Sequence, residues 1–270
     1  VFGNGHNVSA LLGHETYTSS SYSVSASKSN MFSMNNTELN GAVIDGQSAS
    51  SGKSMYNNEG FFARAQYDYN NRIFLSASYR LDASSRFHPD HRWGSFWSFG
   101  GGWLIDKESW FPRTPWLGML KLKASIGSQG NDNIGNYLYT DTSYLSNNLG
   151  TPAIGFNVKG NKDITWEKSH NFNTGIEFKF WNRLSGGIEY FMKDTYDLLY
   201  AKPLPPSAGV PGSIYENTMS MRNSGVELEL FYDVIKNREF NWSLNLNATH
   251  YTNKLLELPA DRPQDGWATG

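Results

Sequence analysis

Residues 165–200 read TWEKSHNFNTGIEFKFWNRLSGGIEYFMKDTYDLLY, and their spacing decides the architecture. In the first half, Phe172, Thr174, Ile176, Phe178 and Phe180 fall on every second position, with Asn171, Asn173, Glu177 and Lys179 between them. After Trp181-Asn182-Arg183 the split returns: Leu184, Gly186, Ile188, Tyr190 and Met192 against Ser185, Gly187, Glu189 and Lys193. Successive side chains of a strand point to opposite faces, so the segment predicts a hairpin with one greasy and one wet side. Strands of soluble sheets run to about 5–6 residues. These have room for the roughly 9–11 residues that a strand needs to cross a bilayer. The hairpin points to the wall of an outer-membrane barrel.

Working outward, the pattern recurs. His6 to Thr16 alternates Val8, Ala10 and Leu12 with polar or small neighbours. Phe61, Ala63, Ala65, Tyr67 and Tyr69 oppose Arg64, Gln66 and Asp68. Beyond Asn70-Asn71, Ile73, Leu75, Ala77, Tyr79 and Leu81 oppose Ser76, Ser78, Arg80 and Asp82. Trp93, Trp97, Phe99 and Trp103 stand in register, and Leu120, Leu122, Ala124 and Ile126 oppose Lys121, Lys123 and Ser125. Val226, Leu228 and Leu230 oppose Glu227 and Glu229; Trp242, Leu244, Leu246 and Ala248 oppose Ser243, Asn245, Asn247 and Thr249. The expectation is an all-β, antiparallel partial barrel of about nine strands, with no helix beyond a short turn around Asp106 to Trp110.

The connections alternate in length. Residues 70–71, 106–116, 181–183 and 233–239 are short to moderate; residues 17–58, 84–92, 129–164 and 201–216 are mostly longer and rich in Asn, Ser, Gly and Pro. Outer-membrane barrels put short turns in the periplasm and long loops outside. Loops 17–58, 129–164 and 201–216 are therefore expected at the cell exterior.

Composition is consistent with this and narrows the alternatives. The chain has no cysteine, so neither a disulfide framework nor a cysteine-ligated metal is available. A net charge of −2 argues against a nucleic-acid-binding surface. Mean hydropathy is negative and no apolar run reaches the length of a membrane helix, which excludes helical spans only. Strands that show lipid every second residue stay hydrophilic on average. Aromatics make up 15% of the chain, the excess that interfacial girdles produce. The opening Val1-Phe2-Gly3-Asn4 lacks a charged-then-apolar leader, and the ends read as cut.

Six segments carry a family resemblance. Residues 79–87 read YRLDASSRF; residues 120–131 read LKLKASIGSQGN; residues 165–168 read TWEK. Residues 193–199 read KDTYDLL, residues 203–205 PLP, and residues 222–228 RNSGVEL. In this order and spacing, from about His6 to Leu258, the chain resembles the C-terminal barrel region of a SusC-like (RagA-like) TonB-dependent outer-membrane transporter of Bacteroidetes. Ala83 stands where that family usually has glycine.

The resemblance implies a barrel of about 22 strands closed by a plug. Residues 1–270 would then be part of one TonB-dependent receptor barrel domain, with the plug, the TonB-engaging segment and the final strands outside it. It also implies a cell outer-membrane location and import of glycans (oligosaccharides) or peptides with a SusD-like surface lipoprotein. No cofactor is implied, and the partners are that lipoprotein, TonB, the substrate and outer-membrane lipid.

Catalysis is not indicated. His88-Pro89-Asp90-His91 could offer metal ligands but reads as a loop tip. Glu227 and Glu229 share a wet face without a nucleophile or dry pocket, so they read as solvated lumen carboxylates. Residues 130–135, GNDNIG, lack the helix of a phosphate loop and the carboxylates of a calcium loop. Ligand contact is expected instead in or beside the 129–164 loop. Rings stack on sugar faces and amides bind hydroxyls, which singles out Tyr137, Tyr139, Tyr144 and Trp166 with Asn147 and Asn148. For Trp166 the competing assignment is the outer aromatic girdle. Two further classes stay open: a passive porin or adhesin without energy coupling, and a soluble glycan-binding sandwich whose apolar faces meet in one core.

Overall fold

The computed structural model describes residues 5–36, 38–42, 48–210 and 212–259; the opening residues 1–4 lie outside that set. Eleven strands follow in order: β1 (His6–Ser27), β2 (Ser48–Tyr69), β3 (Ile73–Ser84), β4 (Trp93–Leu104), β5 (Leu117–Asn131), β6 (Thr142–Asn148), β7 (Thr151–Val158), β8 (Glu167–Phe180), β9 (Leu184–Pro203), β10 (Ser213–Lys236) and β11 (Asn241–Glu257). Nine form one antiparallel sheet, β1-β2-β3-β4-β5-β8-β9-β10-β11, as expected; β6 and β7 pair apart as a hairpin between β5 and β8.

The register shows why the alternation matters. One row of cross-strand partners runs Tyr69, Ile73, Trp103, Leu122, Ile176, Ile188, Leu228, Ala248. The next row runs Asp68, Phe74, Gly102, Lys123, Gly175, Glu189, Glu227, Thr249, on the opposite face. Tyr69 ends β2 in a row that meets β10 at Leu228, yet β10 runs on to Lys236. Strand ends that step along the register in this way belong to tilted strands, as closure into a barrel requires. The ten steps from His170 to Phe180 cover ~34 Å of strand, or roughly 26 Å of height at a tilt near 40°. That matches the apolar band of a barrel in a bilayer, about 25 Å tall.

The apolar face has no second layer among the described residues. Leu12 is 82% exposed, Phe99 56% and Leu246 55%. An uncovered apolar face of this extent is untenable in water, and the two faces do not meet in a core as a soluble sandwich requires. At the short-turn end, aromatic rings chain together: Trp103 meets Trp110 at 6.1 Å, and Trp116 meets Phe180 at 5.6 Å and Trp181 at 6.4 Å. The turns there have positive φ at Asn70 and Asn71 and at Trp181 and Asn182. That is the handedness which matches strand twist in tight hairpins.

Several expected boundaries shift. Within 17–58, residues 17–27 and 48–58 are strand, because β1 and β2 stay paired without interruption from His6↔Tyr69 to Ser27↔Ser48. Above the apolar band both faces of these strands are polar, so backbone pairing persists where the period-two signal ends. Loop 129–164 contains the β6–β7 hairpin, and loop 201–216 shrinks because β9 reaches Pro203 and β10 starts at Ser213. The short turn falls at Ile105–Lys107 as one 3-10 turn. Ala83 sits inside regular β3, paired with Glu59 and Trp93, so nothing at that position needs a glycine.

Candidate functional site

Two regions concentrate side-chain chemistry: the polar face of the sheet and the rim on which the long loops sit. On the polar face, Lys121 Nζ lies 3.1 Å from Glu177, and Lys123 Nζ lies 3.0 Å from Glu177 and 2.6 Å from Glu189. Strand alternation puts all four on one side, two register rows apart at most. Each pair is partly solvated and contributes only about 0–1 kcal/mol. Glu227 lies opposite Glu189 and Glu229 opposite Gly187, and neither has an ion-pair partner among the described residues. The wall is therefore polar and charged, suited to contact with water or with a polar body in a lumen.

At the rim the sheet splits. β4 and β5 stop pairing at Trp97↔Ser128, although β4 continues on β3 to Trp93 and β5 continues on β8 to Asn131. A small core forms at this rim. Phe87, Phe96, Ile164 and Trp166 are buried together, with Ile134, Leu138, Leu199 and Tyr215 packed around them. Trp166 meets the rings of Phe87 and Phe96, each at 5.3 Å, and its Nε1–H donates to the Arg92 carbonyl at 2.8 Å. Gly94 and Gly130 are glycine for a steric reason: a Cβ at either would overlap the Phe96 ring.

A polar clasp adjoins that core. Tyr56 O–H and Ser84 O–H both donate to Asp132 Oδ2, at 2.8 and 2.6 Å. Arg86 donates to the Asp132 carbonyl at 2.7 Å and to Asn136 at 3.3 Å, with its guanidinium 4.4 Å over the Tyr56 ring. Asn136 donates in turn to Ser54 at 2.7 Å. The segment after β5 is thereby folded back onto β2 and the β3–β4 turn. Asn217 closes the other flank: its amide donates to the carbonyls of Thr165 and Asp197 and accepts from the Thr165 N–H. Farther out, Asp141 and Lys159 close the base of the β6–β7 hairpin. The Gly160 N–H donates to Asp141 at 2.9 Å and Lys159 lies 3.3 Å away; these contacts hold the carboxyl below its ordinary range.

The expected ligand residues fall into three places. Trp166 is 5% exposed and belongs to the rim core, neither a free stacking platform nor a lipid-facing girdle ring. Tyr137, at positive φ, is exposed in the loop, and Tyr139 packs edge-on against His88 at 5.9 Å. Tyr144 is exposed on β6; Asn147 and Asn148 end that strand, where Asn147 accepts from the Gly150 N–H and fixes the tip. No hydrogen bond or ring contact joins these three groups. Sequence reading missed Tyr56, Arg86, Asp132 and Asn217. Arg86 was legible as part of a motif, whereas Asn217 carries no local signal.

A tilted antiparallel wall with an apolar outer face, a charged inner face and clasped loops at one rim defines a β-barrel of the outer-membrane type. The chain belongs to the TonB-dependent receptor family: residues 2–270 match its "TonB dependent receptor-like, beta-barrel" model. It is 34% identical over 214 residues to TonB-dependent receptor P39 of Formosa agariphila, covering 77% of this chain and 20% of that protein. It is 30% identical to TonB-dependent receptor SusC of Bacteroides thetaiotaomicron, covering 76% and 21%. The solved RagAB peptide transporter superposes with a TM-score of 0.88 at 29% identity, over 95% of this chain and 29% of that one. The chain thus spans about a fifth of the length of these curated relatives. The apolar face is accordingly the outer face and the charged face lines the lumen.

Proposed function

We propose that these residues form part of one barrel domain in a longer TonB-dependent importer, which carries oligosaccharides or peptides across the outer membrane with a SusD-like lipoprotein. The plug and the TonB-engaging segment belong to the rest of that protein. The observation that carries this reading is the convergence of the family motifs on the rim. Ser84, Arg86 and Phe87 of the first motif, Asp132 just after the second, and Trp166 of the third meet in one clasp. Such a clasp gives the exterior loops a fixed platform, which a capture surface needs and a passive pore does not. The RagAB relative is a peptide transporter and the family resemblance implies glycans as well, so both substrate classes stand.

Tyr137, Tyr139, Tyr144, Asn147 and Asn148 are the proposed ligand contacts, and Trp166 holds the loop that presents the first two. The test is growth of the source bacterium on single glycans and peptides after deletion of the gene, followed by complementation. Loss of growth on one oligomer, restored by the full-length gene but not by a Tyr137→Ala/Tyr139→Ala form at equal surface abundance, supports the reading. Unchanged growth of the double variant would reject the aromatic contacts, and unchanged growth of the deletion on every oligomer would reject import.

A further inference from the structure

We infer that Arg222 and Lys254, on the outer face at the rim, hold the phosphate of an outer-leaflet lipid headgroup. This rests on the outer-membrane placement proposed above. One register row crosses the outer face as Ser128, His170, Asp194, Arg222, Lys254. The row beneath it, Ile126, Phe172, Met192, Ser224, Thr252, begins the descent into the apolar band. The polar row therefore lies at the boundary where headgroups stand.

Charge on the row does not balance. Asp194 accepts from Arg222 Nε and Nη2, each at 2.6 Å, and from the Tyr196 hydroxyl at 3.2 Å, so its acceptor capacity is largely used. Lys254 lies directly opposite Arg222 on the neighbouring strand and has no partner among the described residues. Like charges facing each other across a strand pair are destabilising. The Arg222 guanidinium keeps Nη1 outside the Asp194 contact, and its side chain is 40% exposed. A phosphate seated between the two strands would take hydrogen bonds from that Nη1 and from the Lys254 ammonium, and would remove the repulsion. His170, the β8 member of the row, packs on Tyr196 at 5.4 Å. A lipid supplies this phosphate where the row lies, with its acyl chains along the Phe172, Ile176 and Leu228 surface below.

The full-length transporter, extracted from the outer membrane in mild detergent, is the material for the test. Native mass spectrometry counts phosphorylated lipid A retained by the wild type, Lys254→Gln and Lys254→Arg. Retention is expected to fall roughly tenfold in Lys254→Gln, the loss of one charge-assisted hydrogen bond, and to return in Lys254→Arg. Phosphatase-treated lipid A should not rebind to delipidated wild type. Equal retention in Lys254→Gln overturns the inference, as would happen if a carboxylate on the next strand of the closed barrel already pairs with Lys254. Equal rebinding of the dephosphorylated lipid overturns it too. Heat-modifiable gel migration of the same preparations reports membrane placement separately: a heat-modifiable barrel that retains no lipid refutes the site alone, and loss of heat modifiability refutes both.

Discussion

Trp166 shows how much a single rim side chain holds together. Its ring joins Phe87 from the β3–β4 turn to Phe96 on β4, and its indole N–H donates to the Arg92 carbonyl at the end of that same turn. Replacement by alanine removes the largest member of a core too small to repack, so Trp166→Ala should lower rim stability by about 3–5 kcal/mol. Trp166→Phe keeps most of the packing and leaves the Arg92 carbonyl only its bond from the Ser84 N–H, for a loss of about 1 kcal/mol. Protease cleavage within 131–141 of the full-length transporter reads both, and equal cleavage of the two variants would contradict the assignment. The Asp132 carboxylate is arguable in the same way, because Tyr56 and Ser84 both donate to it. Tyr56→Phe should therefore weaken the loop in the parent but be nearly silent in an Asp132→Ala background, a coupling of roughly 0.5–3 kcal/mol in a double-mutant cycle. Additive effects would show that the hydrogen bond does not hold the loop. None of this was readable from the TWEK motif by itself, since the ring's neighbours lie about 70 to 80 residues earlier in the chain and a local pattern does not report such contacts.

At the scale of elements, alternation located the strands wherever one face meets lipid and lost them where both faces are wet. β1 illustrates the limit: its lower half alternates Val8, Ala10 and Leu12, and its upper half is a Ser- and Tyr-rich stretch held by pairing with β2. β6 and β7 stayed hidden in loop 129–164 for the same reason, being a two-strand hairpin outside the main sheet. Their base depends on one carboxylate. Asp141 accepts from the Gly160 N–H and pairs with Lys159, which lowers its proton affinity in the folded form. A lowered folded value means that the contact stabilises fully above the ordinary carboxylate range and is lost as pH falls through the lowered value. A spin label placed on the hairpin should thus gain mobility on acidification below that ordinary range, and Asp141→Asn should be pH-independent there. Identical titrations of the two proteins would remove Asp141 from the account.

For the whole molecule, the nine-strand sheet is a wall with two open edges, β1 and β11. Each edge offers a row of backbone N–H and C=O groups along strands of 22 and 17 residues. In hydrocarbon each orphan costs on the order of several kcal/mol, and only a few are needed to exceed the roughly 5–15 kcal/mol that holds a domain folded. The apolar outer face makes the opposite demand, since exposing residues such as Leu12 and Phe99 to water is also unfavourable. The wall is therefore stable in neither solvent until further strands close it. Residues 1–270 expressed alone and refolded into liposomes should give neither a heat-modifiable species nor a solute-permeable pore, whereas the full-length barrel should give the first. A protease-resistant pore from the isolated segment would mean that its edges find partners in each other or in a second copy. What closure adds is the shear that fixes strand tilt, and with it the height at which the clasp and the Asp194–Arg222 row stand above the bilayer.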